Sequence, residues 1–119
     1  MNNQNNTIID EIITIAQDKK CEDIRQIKIH DPHWITDNIL LITAKNSVHS
    51  KSLITSLKDF VKKNNATYQE NNIIPIGTPE SGWVILDFSD SIVHVLLDET
   101  RAHYKLDALF EEKGDVYHH

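Results

Sequence analysis

Apolar residues recur along the first part of the chain with the spacing of a helix and then of strands. Between Thr7 and Lys20 isoleucines return every three or four positions, which predicts a first helix. Apolar and polar residues alternate from Asp23 to His30, which predicts a first strand that ends at the Asp31-Pro32 turn. The segment Asn38 to Ala44 is almost continuously apolar, as is typical of a strand covered on both faces. We therefore expect this second strand at the centre of a sheet.

The middle of the chain predicts a second helix followed by a weakly patterned loop. Asn46 and Ser47 are good capping residues, and the apolar residues after them keep the helical spacing until about Asn64. The segment Ala66 to Ser81 is polar and contains two prolines. Its short apolar piece, Ile73 to Ile76, is therefore expected to form at most an edge strand.

Two strongly apolar strands follow, Gly82 to Phe88 and Ser91 to Leu97, with only Ser89 and Asp90 between them. A tight antiparallel hairpin is the simplest arrangement. Strict pairing across the turn predicts a core face made of Val84, Leu86, Val93 and Val95. The opposite face combines apolar side chains with an indole, an imidazole and a carboxylate, and it carries Trp83, Ile85, Asp87, Ile92, His94 and Leu96.

The second hairpin face is the informative one, because an exposed apolar cluster of this size is unusual on a monomer. Either helices of the same chain cover it or it binds a partner. Asp98 and Glu99 then begin a last helix, in keeping with the preference for acidic residues in a first helical turn.

The order helix, strand, strand, helix, possible edge strand, strand, strand, helix predicts an α/β (α+β) fold, a mixed sheet with helices packed on it. Its 119 residues are enough for one domain, residues 1–119, with one core. We expect the core to span about residues 8–110. Residues 1–6 and 111–119 are expected to be flexible tails.

The net charge and the cysteine content indicate which kind of partner and which cellular location to expect. Eighteen acidic against twelve basic residues give a formal charge of −6, which favours a basic protein partner over a primary nucleic-acid contact. The single cysteine, Cys21, permits no disulfide within the chain and favours a reducing, cytoplasmic location. The start of the chain has no signal-peptide pattern, and no apolar run is long enough for a membrane span.

The sequence gives only weak indications of a catalytic or metal site. His94 with Asp37 or Asp87 could form an acid–base pair, as in a hydrolase or nucleotidyltransferase, but no nucleophile or glycine-rich phosphate loop accompanies them. His30, His33 and His49 do not match a known metal-ligand spacing. We therefore expect no catalytic residues, no metal and no cofactor, and keep the enzyme as the alternative hypothesis.

Several short motifs occur in the order found in one known family. They are Lys19 to Ile24, Thr36-Asp37, Thr43 to His49, Gly82 to Asp90 with Val93-His94-Val95, and finally Arg101, Tyr104, Leu106, Asp107 and Leu109. Over about Ile8 to Phe110 the chain resembles the ribosomal silencing factor family, RsfS or Iojap. It departs from that family's pattern at Ala44, Phe88, Ser89 and Phe110.

The resemblance implies a fold related to nucleotidyltransferases without their catalytic signature. It implies a translational repressor that binds the large ribosomal subunit through its fourteenth ribosomal protein and blocks joining of the small subunit. It also implies a tendency to form homodimers, and a protein that is not an enzyme. Carried over by position, the partner-binding candidates are Trp83, Asp87, Asp90, His94, Asp37, His49 and Tyr104.

Overall fold

The computed structural model describes residues 4–34, 36–64, 73–88 and 91–119. The helices in these ranges are α1 (Gln4–Asp18), α2 (Ser47–Lys63), α3 (Asp98–Tyr104) and α4 (Leu106–Glu111). The strands are β1 (Glu22–Ile29), β2 (Asn38–Ala44), β3 (Ile76–Thr78), β4 (Trp83–Asp87), β5 (Ser91–Leu97) and β6 (Gly114–His118). A short 3₁₀ turn, Pro79–Ser81, joins β3 to β4.

The strands form one six-stranded mixed sheet in the order β3-β4-β5-β2-β1-β6. Only β2 and β5 run parallel to each other, and the remaining neighbours are antiparallel. All seven residues of β2 are buried, because β5 and β1 flank it and helices cover both of its faces. The predicted central strand and mixed α+β sheet are thus confirmed.

The longer helices α1 and α2 cover one face of the sheet. Their apolar stripes pack on inward residues of β2, β4 and β5, in a core that includes Ile12, Leu53, Leu57, Leu40 and Ile42. The predicted core face of the hairpin lies here, with Val84, Leu86, Val93 and Val95 all fully buried. Burial of such side chains is the main favourable contribution to folding.

The shorter helices α3 and α4 cover part of the other face. Leu106 and Phe110 of α4 pack against Ile27, Leu41 and Leu96 of the sheet. The predicted single last helix is in fact two helices, since Lys105 takes a left-handed conformation (φ 51°) that ends α3 and begins α4. Residues from α3 therefore lie near β4, while α4 turns back across β2 and β1.

The hairpin register is confirmed pair by pair, from Asp87 opposite Ile92 to Trp83 opposite Leu96. Its turn, Ser89 and Asp90, lies outside the described residues. The predicted edge strand is also found, three positions further on, as β3 beside β4.

The prediction of a tail at residues 111–119 is wrong. Residues 114–118 form β6, which pairs with β1 in the register Ile27 with Val116. Gly114 lies so close to the Lys28 carbonyl that a side chain there would overlap it. β6 forms because it gives the outer edge of β1 its backbone hydrogen-bond partners, a tertiary effect that local pattern does not reveal. At the other end, α1 begins at Gln4, inside the expected first tail.

Among the described residues, none of the helices has the length and apolar character needed to cross a bilayer.

Candidate partner-binding surface

Trp83 begins β4 at the point where α3 approaches the sheet. Gly82 immediately before it has φ +83°, a conformation that side-chain-bearing residues rarely adopt. A Cβ on Gly82 would lie 2.6 Å from Oγ1 of Thr100 in α3. The glycine therefore allows α3 to pack closely beside the start of β4, next to Trp83.

Trp83 belongs to a continuous row of aromatic contacts on the face covered by α3 and α4. Its indole lies 5.2 Å from the ring of Tyr104 and 6.0 Å from that of His94, centroid to centroid. We call these contacts the aromatic row, whose members in order are Trp34, Phe110, His94, Trp83, Tyr104 and His103. The row runs from Phe110 of α4, which is buried, to Tyr104, which is 55% exposed.

A groove of about 700 Å³ lies at the exposed end of the aromatic row. We call it the β4–α3 groove; it is lined by Ile76, Gly77, Ser81, Trp83, Ile85, Glu99, Thr100, His103 and Tyr104. Two of the lining side chains, Ile76 of β3 and Tyr104 of α3, are apolar and exposed. A concave surface with aromatic and aliphatic walls and a few polar groups is a common form of binding site.

His94 contacts Trp83, does not itself line the groove and is only 6% exposed. Its Nδ1 accepts a hydrogen bond from Nε1 of Trp83 at 3.0 Å, and its ring packs 5.5 Å from that of Phe110. Burial lowers the pKa of His94 to about 4, so the ring is neutral at pH 7. A general acid or base working near neutrality needs a pKa close to the working pH, which His94 lacks.

The carboxylates proposed as partners of His94 lie toward the opposite end of the strands. Asp37 precedes β2, four residues from the Leu41 that pairs with His94, which corresponds to roughly 13 Å along the strand. Asp87 is exposed at the end of β4, on the same face as His94 but two residues beyond its partner Ile85. Asp90 lies outside the described residues. The structure thus brings Trp83, His94 and Tyr104 together, and places Asp37 and Asp87 elsewhere.

His49 is a structural residue in the first turn of α2. Its Nδ1 accepts from the backbone N–H of Lys45 at 2.9 Å, and its Nε2 donates to the carbonyl of Lys19 at 2.6 Å. Its own N–H donates to the side chain of Asn46, the cap of α2. Both ring nitrogens are therefore occupied in holding α2 against the end of α1.

Arg101 of α3 is 4% exposed and joins four elements. Its guanidinium donates two hydrogen bonds of 2.7 Å to the carboxylate of Asp107, one to the carbonyl of Asp23 and one to Oγ1 of Thr43. Arg25 lies 3.0 Å from the same Asp107 carboxylate. The hydrogen bonds from Arg101, with the charges of both arginines, hold the pKa of Asp107 below its usual value. This cluster fixes α3 and α4 to the sheet.

Sequence reasoning missed the residues that complete the groove. Ile76 pairs with Ile85 across β3 and β4, so an apolar residue in the predicted edge strand was the available signal. Glu99 and His103 are four residues apart and share one side of α3 with Tyr104, a spacing that could have been recognised. In the part of the chain that the structure describes, no group of three or more His, Cys, Asp or Glu residues could hold a metal ion.

Residues 2–118 match the sequence pattern of one protein family, described as "Ribosomal silencing factor during starvation". The chain belongs to this family. Among curated ribosomal silencing factors, the RsfS protein of Bacillus subtilis is 25% identical over 95 residues, covering 80% of this chain and 77% of that protein. The chloroplastic protein Iojap of Zea mays is equally similar over 80% of this chain, but the match spans only 40% of the maize protein.

A solved structure has the same fold as this chain. A crystal structure of a protein from Chromobacterium violaceum superimposes with a TM-score of 0.71 at 25% identity. The match covers 93% of this chain and 88% of the other. The family match over residues 2–118 and the curated relatives confirm the resemblance to the RsfS/Iojap family inferred from short motifs.

Proposed function

We propose that this chain is a translational repressor that binds the large ribosomal subunit through its fourteenth ribosomal protein. While bound, it occupies surface that the small subunit needs, so the subunits do not join. Membership of the ribosomal silencing factor family supports this proposal. The protein then works in the cytoplasm, where the subunits are.

The β4–α3 groove is the observation that carries the choice of binding surface. It combines a half-buried tryptophan and a largely exposed tyrosine with apolar walls, and aromatic residues are enriched among binding hot spots. Glu99 at its side and the formal charge of −6 suit a basic protein partner, because opposite charges speed encounter and disfavour wrong partners. Trp83 and Tyr104 are the proposed contact residues.

The mechanism we propose is steric exclusion and needs neither chemistry nor a cofactor. The enzyme alternative relies on His94 with Asp37 or Asp87. His94 is buried and its Nδ1 is occupied by Trp83, so that imidazole is poorly suited to exchange protons with a substrate. A repressor that works by occupying a surface needs only sufficient affinity and the right position.

Sedimentation with isolated subunits tests the proposal. The wild-type protein should co-sediment with large subunits and not with small ones, and added salt should weaken the complex. Trp83→Ala should weaken binding by over about 2 kcal/mol, roughly 30-fold in Kd. Val48→Ala is the matched control, since Val48 is 76% exposed on α2 and outside the groove. Undiminished binding by folded Trp83→Ala would refute the assigned surface.

The enzyme alternative has a separate test. A nucleotide or metal ion that binds only the folded state must raise the melting temperature. Because the proposed repressor needs neither nucleotide nor metal, we expect its melting temperature to stay the same in a thermal-shift series with nucleotides and divalent metals. A clear shift with a nucleotide would count against the repressor mechanism.

The homodimer implied by the family resemblance stays a prediction. Light scattering across a range of concentrations would measure the mass of the free protein. A comparison with the mass of the subunit-bound form would then show whether a dimer must dissociate before binding.

A further inference from the structure

The hydrogen bond between Trp83 and His94 joins an outward-facing residue to a buried one. The indole N–H is a donor only, so Nδ1 of the imidazole must be the acceptor across their 3.0 Å contact. The neutral ring therefore carries its proton on Nε2. This bond turns the N–H edge of the indole toward the buried imidazole, while Trp83 also lines the β4–α3 groove.

The imidazole itself is held in place. It is 6% exposed, it lies on β5 opposite Ile85, and Phe110 of α4 packs against its ring at 5.5 Å. A side chain with so little exposure has almost no surface to offer a partner. Trp83, in contrast, is half-buried and contacts the exposed Tyr104.

We propose that His94 is a positioning residue, which fixes the indole of Trp83 in the one orientation that presents the β4–α3 groove to its partner. This inference rests on the proposed function, because it concerns the same surface. Its energetic basis is general: a buried donor that loses its acceptor seeks another partner, and an anchor that must be ordered on binding binds more weakly. Without His94 the indole gains rotational freedom, and the groove loses its fixed wall.

Two substitutions separate the acceptor from the shape of the ring. His94→Phe keeps an aromatic ring against Phe110 and removes the acceptor. His94→Asn loses the ring but keeps an acceptor near the same place, since the oxygen of asparagine and Nδ1 of histidine are both bonded to Cγ. If His94 only fills space, His94→Phe should bind better than His94→Asn. If His94 positions the indole of Trp83, His94→Asn should bind better than His94→Phe.

The indole N–H reports directly on orientation. The chain contains only two tryptophans, Trp34 and Trp83, so an NMR spectrum of the nitrogen-labelled protein contains two indole signals. In the wild-type protein the Trp83 signal should show slowed exchange with water. His94→Phe should move that signal and speed its exchange, His94→Asn should largely preserve it, and Trp34 serves as the internal reference.

Binding to isolated large subunits gives the second readout. We expect His94→Phe to weaken binding about tenfold, the usual effect of one lost hydrogen bond, and His94→Asn to stay within about threefold of wild type. In a Trp83→Phe background, which has no N–H to orient, His94→Phe should have no further effect. Near-wild-type binding by folded His94→Phe would overturn the proposal, and so would rapid exchange of the Trp83 N–H in the wild-type protein.

These outcomes are distinct from failure of the proposed function. If wild-type protein binds no large subunits, the repressor proposal fails while the indole signals still test the orientation. If wild type and His94→Phe bind equally well, the repressor stands and His94 has no positioning role. Should His94→Phe fail to fold, the exchange rate of the wild-type indole and the binding of His94→Asn decide the question.

Discussion

The two faces of the sheet are covered to very different extents, although the same strands form both. On one face α1 and α2, of 15 and 17 residues, fully bury Val84, Leu86, Val93 and Val95 of the β4–β5 hairpin. On the other face α3 and α4 have only 7 and 6 residues. They bury His94 and Leu96, but leave Trp83 half-buried and Asp87 exposed.

Under the proposed function, one face of the hairpin serves folding and the other serves binding of the partner. The face under α1 and α2 is a hydrophobic core, in which burial of apolar side chains stabilises the fold. The face under α3 and α4 combines a buried support, made of Phe110 and His94, with an outer rim made of Trp83 and Tyr104. Trp83 and Tyr104 are held by this support and are still partly exposed, and tryptophan and tyrosine are enriched among binding hot spots.

The largest expected effect is on stability, and it should differ between two neighbouring residues of β4, Leu86 and Ile85. Leu86→Ala should lower the free energy of unfolding by about 2–5 kcal/mol, because it leaves a cavity in the fully buried face. Ile85→Ala, on the half-buried face, should cost less than about 1.5 kcal/mol. Chemical denaturation of both variants measures the contrast. Equal losses would mean that the two faces do not differ in this way.

Arg101 tests how α3 and α4 are attached. Arg101→Met keeps the aliphatic stem but removes the hydrogen bonds to Asp107, Asp23 and Thr43. Loss of these hydrogen bonds, made by a buried guanidinium to a partly exposed carboxylate and two other acceptors, should cost about 3 kcal/mol of stability. The matched control is Lys58→Met, an exposed position on α2 that should change stability by less than about 0.5 kcal/mol. Similar small changes in both variants would contradict the role of Arg101.

His94 should make stability depend on pH. Its pKa is about 4 in the folded protein against 6.5 for the free side chain, so the unfolded chain binds the proton more readily. This contribution is fully present above pH 6.5 and is lost as the pH falls toward 4, with about 2 kcal/mol lost between pH 7 and pH 5. His94→Phe should remove that part of the slope. A wild-type slope that persists in His94→Phe would show that other groups cause it.

Tyr104→Ala should change stability least, but it should clearly weaken binding. Tyr104 and Tyr117 are tyrosines of similar exposure, 55% and 44%, at different places on the molecule, one on α3 and one on the edge strand β6. Replacing either by alanine should alter stability by less than about 0.5 kcal/mol. Only Tyr104→Ala should weaken binding to large subunits, by over about 1 kcal/mol. Equal weakening by Tyr117→Ala would mean that the partner also contacts β6, or binds there and not at the β4–α3 groove.

Local pattern could predict the sheet centre and the hairpin register, because strand alternation leaves little freedom once two strands are joined by two residues. It could not predict β6, whose five residues form a strand only by pairing with β1. Nor could it predict the break at Lys105, where a residue other than glycine takes a left-handed conformation.

The candidate site was predictable in part for the same reason. Trp83 and His94 follow from the register, and Tyr104 from the family motif. The roles of His49 and Arg101 depend on contacts with residues far away in sequence: His49 bonds to Lys19, and Arg101 to Asp23. No spacing rule reveals such contacts, so a motif residue that holds the fold looks the same in sequence as one that binds a partner.

An assay of subunit joining measures directly whether this protein acts as a repressor by steric exclusion. Large subunits are first incubated with the protein, small subunits are then added, and light scattering follows the formation of whole ribosomes. We expect wild-type protein to suppress joining, Trp83→Ala to restore it, and Val48→Ala to suppress it as wild type does. Normal joining by large subunits that are saturated with wild-type protein would show that the protein does not exclude the small subunit.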